Sequence, residues 1–224
     1  MASTRQASAR TSPRGRRGVG RPPGVADSGA RQRLIDVAAA LFAHNGADAV
    51  SLRQIAAAAQ VAPALIAYHF GDKQGLLHAT LEEALQRLRS VIARSLGEAS
   101  EAPLAAFIAN YVDALTRAPW IAPLLVREVL SRAGSGREQF VQRFAVEAAK
   151  LLPSAMADEI AAGRMRKEFD PRLTVLSLIG MSVFPFIAQP VLGPQLGYRI
   201  DERFGREWAQ HTLALFMHGT GAHR

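Results

Sequence analysis

Apolar side chains recur at spacings of three and four from residue 30 to near the end of the chain, and no stretch alternates apolar with polar as a half-buried strand does. Leu34, Ile35, Ala38, Leu41 and Phe42 predict a first helix from residue 30, stopped by Asn45-Gly46, a pair suited to a left-handed helix end. Ser51-Leu52-Arg53-Gln54 has the form of a capping box, in which a serine oxygen and a glutamine side chain satisfy each other's backbone N–H groups. A second helix therefore starts at Leu52 and runs to about residue 59. Gln60-Val61-Ala62-Pro63 is a tight turn, and proline at a first helical position opens a third helix over residues 63–70. Gly71-Asp72 closes it, and Asp72 caps a fourth helix over 73–96 with an apolar stripe of Leu76, Leu77, Leu81, Leu85, Leu88 and Ile92. Further helices are expected over 103–117, 120–132, 137–162 with a bend at Pro153, 171–188 and 202–217. The fold class is all-α, with a small three-helix domain at 29–76, a larger helical domain at 77–218 and a tail at 219–224.

About half of the 224 residues are apolar, enough for one sizeable core and a small appended one. Cysteine is absent, which excludes disulfides, thiolate metal sites and thiol nucleophiles. The amino terminus lacks the apolar run of a secretory signal, so a cytoplasmic protein is expected. The apolar run at 173–192 approaches the length of a membrane span, yet Thr174, Ser177, Ser182, Pro185, Gln189 and Pro190 interrupt it, which favours a buried helix and no membrane partner.

The net charge of +8 is unevenly spread. Residues 1–28 hold Arg5, Arg10, Arg14, Arg16, Arg17 and Arg21 against Asp27 alone, and have little to bury. A disordered basic arm of this kind suits a polyanionic partner.

Helices two and three, joined by a tight turn and braced by helix one, have helix-turn-helix geometry, in which one exposed helix enters a DNA major groove. Leu52, Ile55, Ala56, Val61, Ile66 and Phe70 are placed to close against Leu34, Leu41 and Phe42. Ala62, Pro63, Ala64, Leu65, Ala67, Tyr68 and His69 remain outside. Leu41-Phe42, Asn45-Gly46, Ser51 to Ala56, Val61, and Tyr68-His69-Phe70-Gly71-Asp72-Lys73 leading to Leu76-Leu77 together resemble the DNA-binding domain of the TetR family of repressors. The resemblance implies phosphate contacts from Ser51 and Arg53, base-edge contacts from Ala62, Pro63, Ala64 and Leu65, and backbone contacts from Tyr68, His69 and Lys73. Alanine at 62 and 67 departs from the family's commoner small polar and aromatic residues. A reading helix this apolar can touch thymine methyl groups and leaves more to DNA shape. Arg21, within Gly20-Arg21-Pro22, is a candidate for a narrow minor groove.

The resemblance also implies a ligand-responsive regulator, with double-stranded operator DNA, a second copy of the chain and a small, largely apolar effector as partners. Tyr111, Trp120, Phe144, Met181 and Phe184 are candidates for an effector pocket. Val175, Leu178, Ile179, Val183, Leu213 and Phe216 are candidates for a dimer interface built as a four-helix bundle from the last two helices, with Gly180 and Ser182 allowing close approach. The competing class is a helical ligand-binding or interaction protein with a non-functional helix-turn-helix. An enzyme is not expected: His44, His69, His78, His211, His218 and His223 have no strong metal-ligand spacing, and neither a phosphate-cradling glycine loop nor a nucleophile elbow occurs. No cofactor or metal is expected.

Overall fold

A computed structural model describes residues 23–96, 102–131 and 134–220. Among them every regular element is helical. Helix α1 (Pro23–Asn45) begins ahead of residue 30, where the apolar repeat starts. The repeat reports which turns are buried, and the Gly- and Ser-containing first turns after Pro23 bear no such stripe, so only the proline marks the start. At its other end Gly46 takes a φ of 84° and its N–H caps the Phe42 carbonyl at 2.8 Å.

Helix α2 (Leu52–Ala58) carries the expected capping box: Ser51 Oγ accepts from the Gln54 N–H at 3.3 Å and Gln54 Oε1 accepts from the Ser51 N–H at 2.8 Å. Helix α3 (Ala64–Phe70) starts one residue later than expected, with Pro63 as its cap. Helix α4 (Lys73–Ser95) follows at once, its first turn capped by Asp72 Oδ1 accepting from the Gly75 N–H at 2.8 Å. The α3–α4 corner is so tight that a Cβ on Gly75 would lie 1.9 Å from the Phe70 carbonyl oxygen, which requires glycine there.

Helix α5 (Pro103–Arg117) packs against α4 and α10. Helix α6 (Ile121–Leu125) runs on into a π turn, Val126–Leu130. Helix α7 (Arg137–Phe140) likewise passes through a π turn, Val141–Ala145, into α8 (Val146–Ala161). The predicted long helix at 137–162 is therefore interrupted near 143, and helix continues through Pro153.

Helix α9 (Pro171–Leu196) extends past residue 188 and contains Pro185, Pro190 and Pro194. These prolines withhold the N–H groups that would bond the carbonyls of Met181, Phe186 and Pro190, and side chains from beyond the helix bind it at two other carbonyls. Trp208 Nε1–H donates to the Ser182 carbonyl at 3.1 Å, and the Tyr198 hydroxyl donates to the Pro185 carbonyl at 3.0 Å. Gly197, at φ 71°, ends the helix. Helix α10 (Glu202–Thr220) closes the fold against α5, where Gly205 meets Thr116 with no room for a side chain.

Two apolar cores result. The head core joins Leu34, Ala38, Phe42, Ile55, Ala56 and Ile66 to Leu76, Leu77 and Leu81 of α4, and takes in Leu124 and Val129 from α6 and its π turn. The body core unites the rest of α4 with α5, α8, α9 and α10. The head is thus fused to the body through α4 and α6, and its core continues past residue 76.

Candidate DNA interface and effector cavity

The burial pattern on α2 and α3 separates a supporting face from a free one. Ile55, Ala56 and Ile66 are buried, while Ser51, Arg53, Ala62, Pro63, Ala64, Ala67 and Tyr68 are exposed. Tyr68 is 72% exposed, a large value for an aromatic residue, and its ring meets His69 edge-on at 4.9 Å. Most of the expected DNA-contact residues are therefore exposed, with four qualifications. His69 is half-buried, its Nε2 shielded from solvent. Leu65 is half-buried and packs against the head core, which leaves only its outer edge for a base. Lys73 is half-buried too, its ammonium 3.4 Å from each of the carbonyls of Asp48 and Val50, so it braces the loop before α2. Arg21 lies outside the described residues.

Two features of this surface escape sequence reading. Gln60, in the turn between α2 and α3, has a φ of 54°, a left-handed conformation that glycine usually fills. Arg31, on α1, holds its guanidinium 5.4 Å from the Phe70 ring centre, which places a cation beside the end of α3. Both depend on which turns meet in space, and no local motif marks them.

Behind the head, the body encloses a cavity of about 380 Å³. Its wall is built by α4, α5, α6, the π turn Val126–Leu130, α7, α8 and α9. Of the expected pocket residues, Tyr111 and Phe144 line it. Trp120 instead packs between the two cores with the Arg87 guanidinium 5.9 Å from its ring centre, and Met181 packs into the body core. Phe184 is 57% exposed on the outer side of α9. The aromatic residues were legible as apolar, but helical spacing alone could not tell a cavity wall from a core or from an outer face.

Residues 34–80 match the model of the bacterial regulatory proteins, tetR family. The HTH-type transcriptional regulator BetI of Burkholderia thailandensis is 32% identical over 149 residues, which span 59% of this chain and 74% of the relative. The chain belongs to the TetR family of regulators. Among solved structures, the ketosteroid transcriptional regulator KstR2 of Mycobacterium tuberculosis superposes with a TM-score of 0.73 at 18% identity, covering 86% of this chain and 95% of that one. AibR, solved in complex with isovaleryl coenzyme A and operator DNA, gives 0.67 at 18% identity, covering 83% and 97%. Both likenesses extend the shared fold from the head through the body. As a member of the TetR family, the chain is a DNA-binding transcriptional regulator.

The outer surface of this TetR-family body corrects the expected dimer face. Val175, Leu178 and Phe216 are buried within the chain, Ile179 and Val183 line the cavity, and Leu213 packs on the body core. Ser182 is buried beneath Trp208. The large apolar side chains that α9 and α10 do leave exposed are Leu173, Leu176, Phe184, Val191 and Leu215, with Leu196 where α9 ends, and Gly180 is open beside them. Every third or fourth residue of α9 is apolar on both of its faces, so the period gave two stripes and the sequence offered no way to choose between them. By length and composition α9 could also cross a membrane, but its inner face packs against α5, α6, α8 and α10.

Proposed function

We propose that this TetR-family protein is a homodimeric repressor that holds a palindromic operator in the cytoplasm and releases it when a small, largely apolar effector fills the body cavity. The observation that carries the reading is a shared wall: the π turn Val126–Leu130 lines the cavity, and its Val129 belongs to the head core. An occupant of the cavity presses on the element that holds the DNA-binding head.

Ala62, Pro63, Ala64 and the edge of Leu65 face the bases; Ser51, Arg53, Tyr68, His69 and Lys73 hold phosphates on either side. Arg21 and its basic neighbours add contacts beyond the head. The exposed residues of α9 and α10 pair with their copies across a two-fold axis, which sets two reading helices one turn of DNA apart. AibR, whose structure holds both operator DNA and a thioester ligand, lends support through its fold. The reading contains no catalytic step.

Footprinting of the full chain on DNA flanking its own gene, at two salt concentrations, tests this. The expected result is a protected inverted repeat that Tyr68→Ala and Arg53→Ala each weaken severalfold, and that high salt loosens as phosphate contacts require. No protection at low salt would instead favour a helical ligand-binding protein with an idle helix-turn-helix.

A further inference from the structure

The chemistry of the cavity wall narrows what can occupy it. Among the described lining residues, Tyr111 supplies the one polar side chain, and aliphatic and phenylalanine side chains supply the rest. An occupant bearing a carboxylate, phosphate or ammonium inside this wall would lose its hydration with no charged partner in return. Phe107 lies stacked on Tyr111 at 5.6 Å and 21°, which turns these faces toward each other and away from the splayed cage that holds a quaternary ammonium. Burial raises the Tyr111 hydroxyl above the usual phenol range, so it stays protonated and can donate. At the density of a protein interior, about 380 Å³ takes roughly 15 non-hydrogen atoms. Leu130 and Leu176, 70% and 67% exposed, mark the rim, so any charged part of a larger molecule has to stay beyond them.

We infer that the effector is a neutral, hydrocarbon-rich molecule of this size carrying one hydrogen-bond acceptor, a ketone or ester carbonyl, that seats against the Tyr111 hydroxyl. The inference rests on the cavity being the effector site of the regulator proposed above. Tyr111 is its specificity-determining residue.

Calorimetric titration of the full chain with 2-undecanone, undecane, decanoate, decyltrimethylammonium and decanoyl-coenzyme A tests it. The ketone is expected to bind at least tenfold more tightly than either ion and than the coenzyme A thioester. Tyr111→Phe, which keeps the ring, is expected to weaken the ketone five- to tenfold and to leave undecane unchanged, with the melting temperature of the free protein within about 2 °C of the parent. Absence of ketone binding, tighter binding of a charged probe, or an equal loss for ketone and undecane in Tyr111→Phe would each overturn it. A gel shift without ligand reads DNA binding separately, so failure of the regulator reading and failure of the ligand class give different results.

Discussion

The carboxylate of Glu128 accepts a hydrogen bond from the backbone N–H of Ala47 at 3.1 Å, tying the π turn after α6 to the loop between α1 and α2. Glu128 is buried, as is Ala47, and neighbouring Val129 faces the cavity. One turn of backbone therefore touches an effector on one side and anchors the DNA-binding head on the other. Removing the acceptor leaves a buried N–H without a partner, a loss of about 1–3 kcal/mol. Glu128→Ala is expected to lower stability by that amount in urea unfolding, while Glu128→Gln, which keeps an oxygen for Ala47, stays within about 1 kcal/mol of the parent. Equal losses in the two variants would mean that the charge, and not the acceptor, holds the loop.

How much of this was legible in sequence follows from the range of each interaction. The capping box of Ser51 and Gln54 and the Asp72 cap of α4 join residues three apart, so the motif and the structure coincide. Most of the head core was likewise readable, because its apolar stripes on α1 to α4 lie close together along the chain, whereas Leu124 and Val129 join it from far away in sequence. Glu128 and Ala47 are 81 positions apart, and nothing local distinguishes Glu128 from a solvated acid. Helix α9 failed for the opposite reason. Apolar on nearly all sides, it gives no contrast, and the expectation of Leu178 outward and Phe184 inward is the reverse of their burial.

Gln60 offers a test of backbone strain in the recognition turn. A non-glycine residue at φ 54° carries a steric cost of about 1–2 kcal/mol, against the 0.5–1 kcal/mol of chain entropy that glycine gives up on folding. The side chain is exposed, so little packing is lost with it. Gln60→Gly is expected to raise stability by about 0.5–1 kcal/mol, read as a higher urea midpoint with an unchanged slope. A lower midpoint would show that the glutamine side chain makes a contact worth more than the strain.

Asp170 links acid sensitivity to the start of α9. The Arg172 side chain, and then the Arg172 backbone N–H at 2.8 Å, hold its carboxyl at about 2, below the ordinary 3.8. A carboxylate depressed in the folded state stabilises above its unfolded pKa, and the contribution fades as pH falls toward the folded value. Asp170→Asn keeps a capping oxygen and removes the charge. The variant is expected to be less stable than the parent by a constant margin from pH 6 to about 4. The margin should then narrow between pH 4 and 2, which urea midpoints at pH 6, 4 and 3 would register. A margin independent of pH across this range would assign the effect to the cap alone.

Phe184 and Val191, 57% and 71% exposed, lie on the outward side of α9 with Leu176, and Gly180 leaves open space between them. A single chain leaves most of this surface open, whereas a second copy related by a two-fold axis would set like against like and bury it. A glutamate placed there meets its own copy across the axis, so desolvation and repulsion act together. Phe184→Glu and Val191→Glu are each expected to raise the dimer dissociation constant at least tenfold in sedimentation equilibrium, while helix content stays that of the parent. Because two reading helices must act together on an inverted repeat, the same variants are expected to lose operator protection at concentrations where the parent binds. Leu178 supplies the contrast: it is fully buried within the chain, so Leu178→Ala is expected to cost about 2–5 kcal/mol of folding stability by opening a void. Sedimentation of Phe184→Glu and Val191→Glu as parent-like dimers would move the interface off this face of α9.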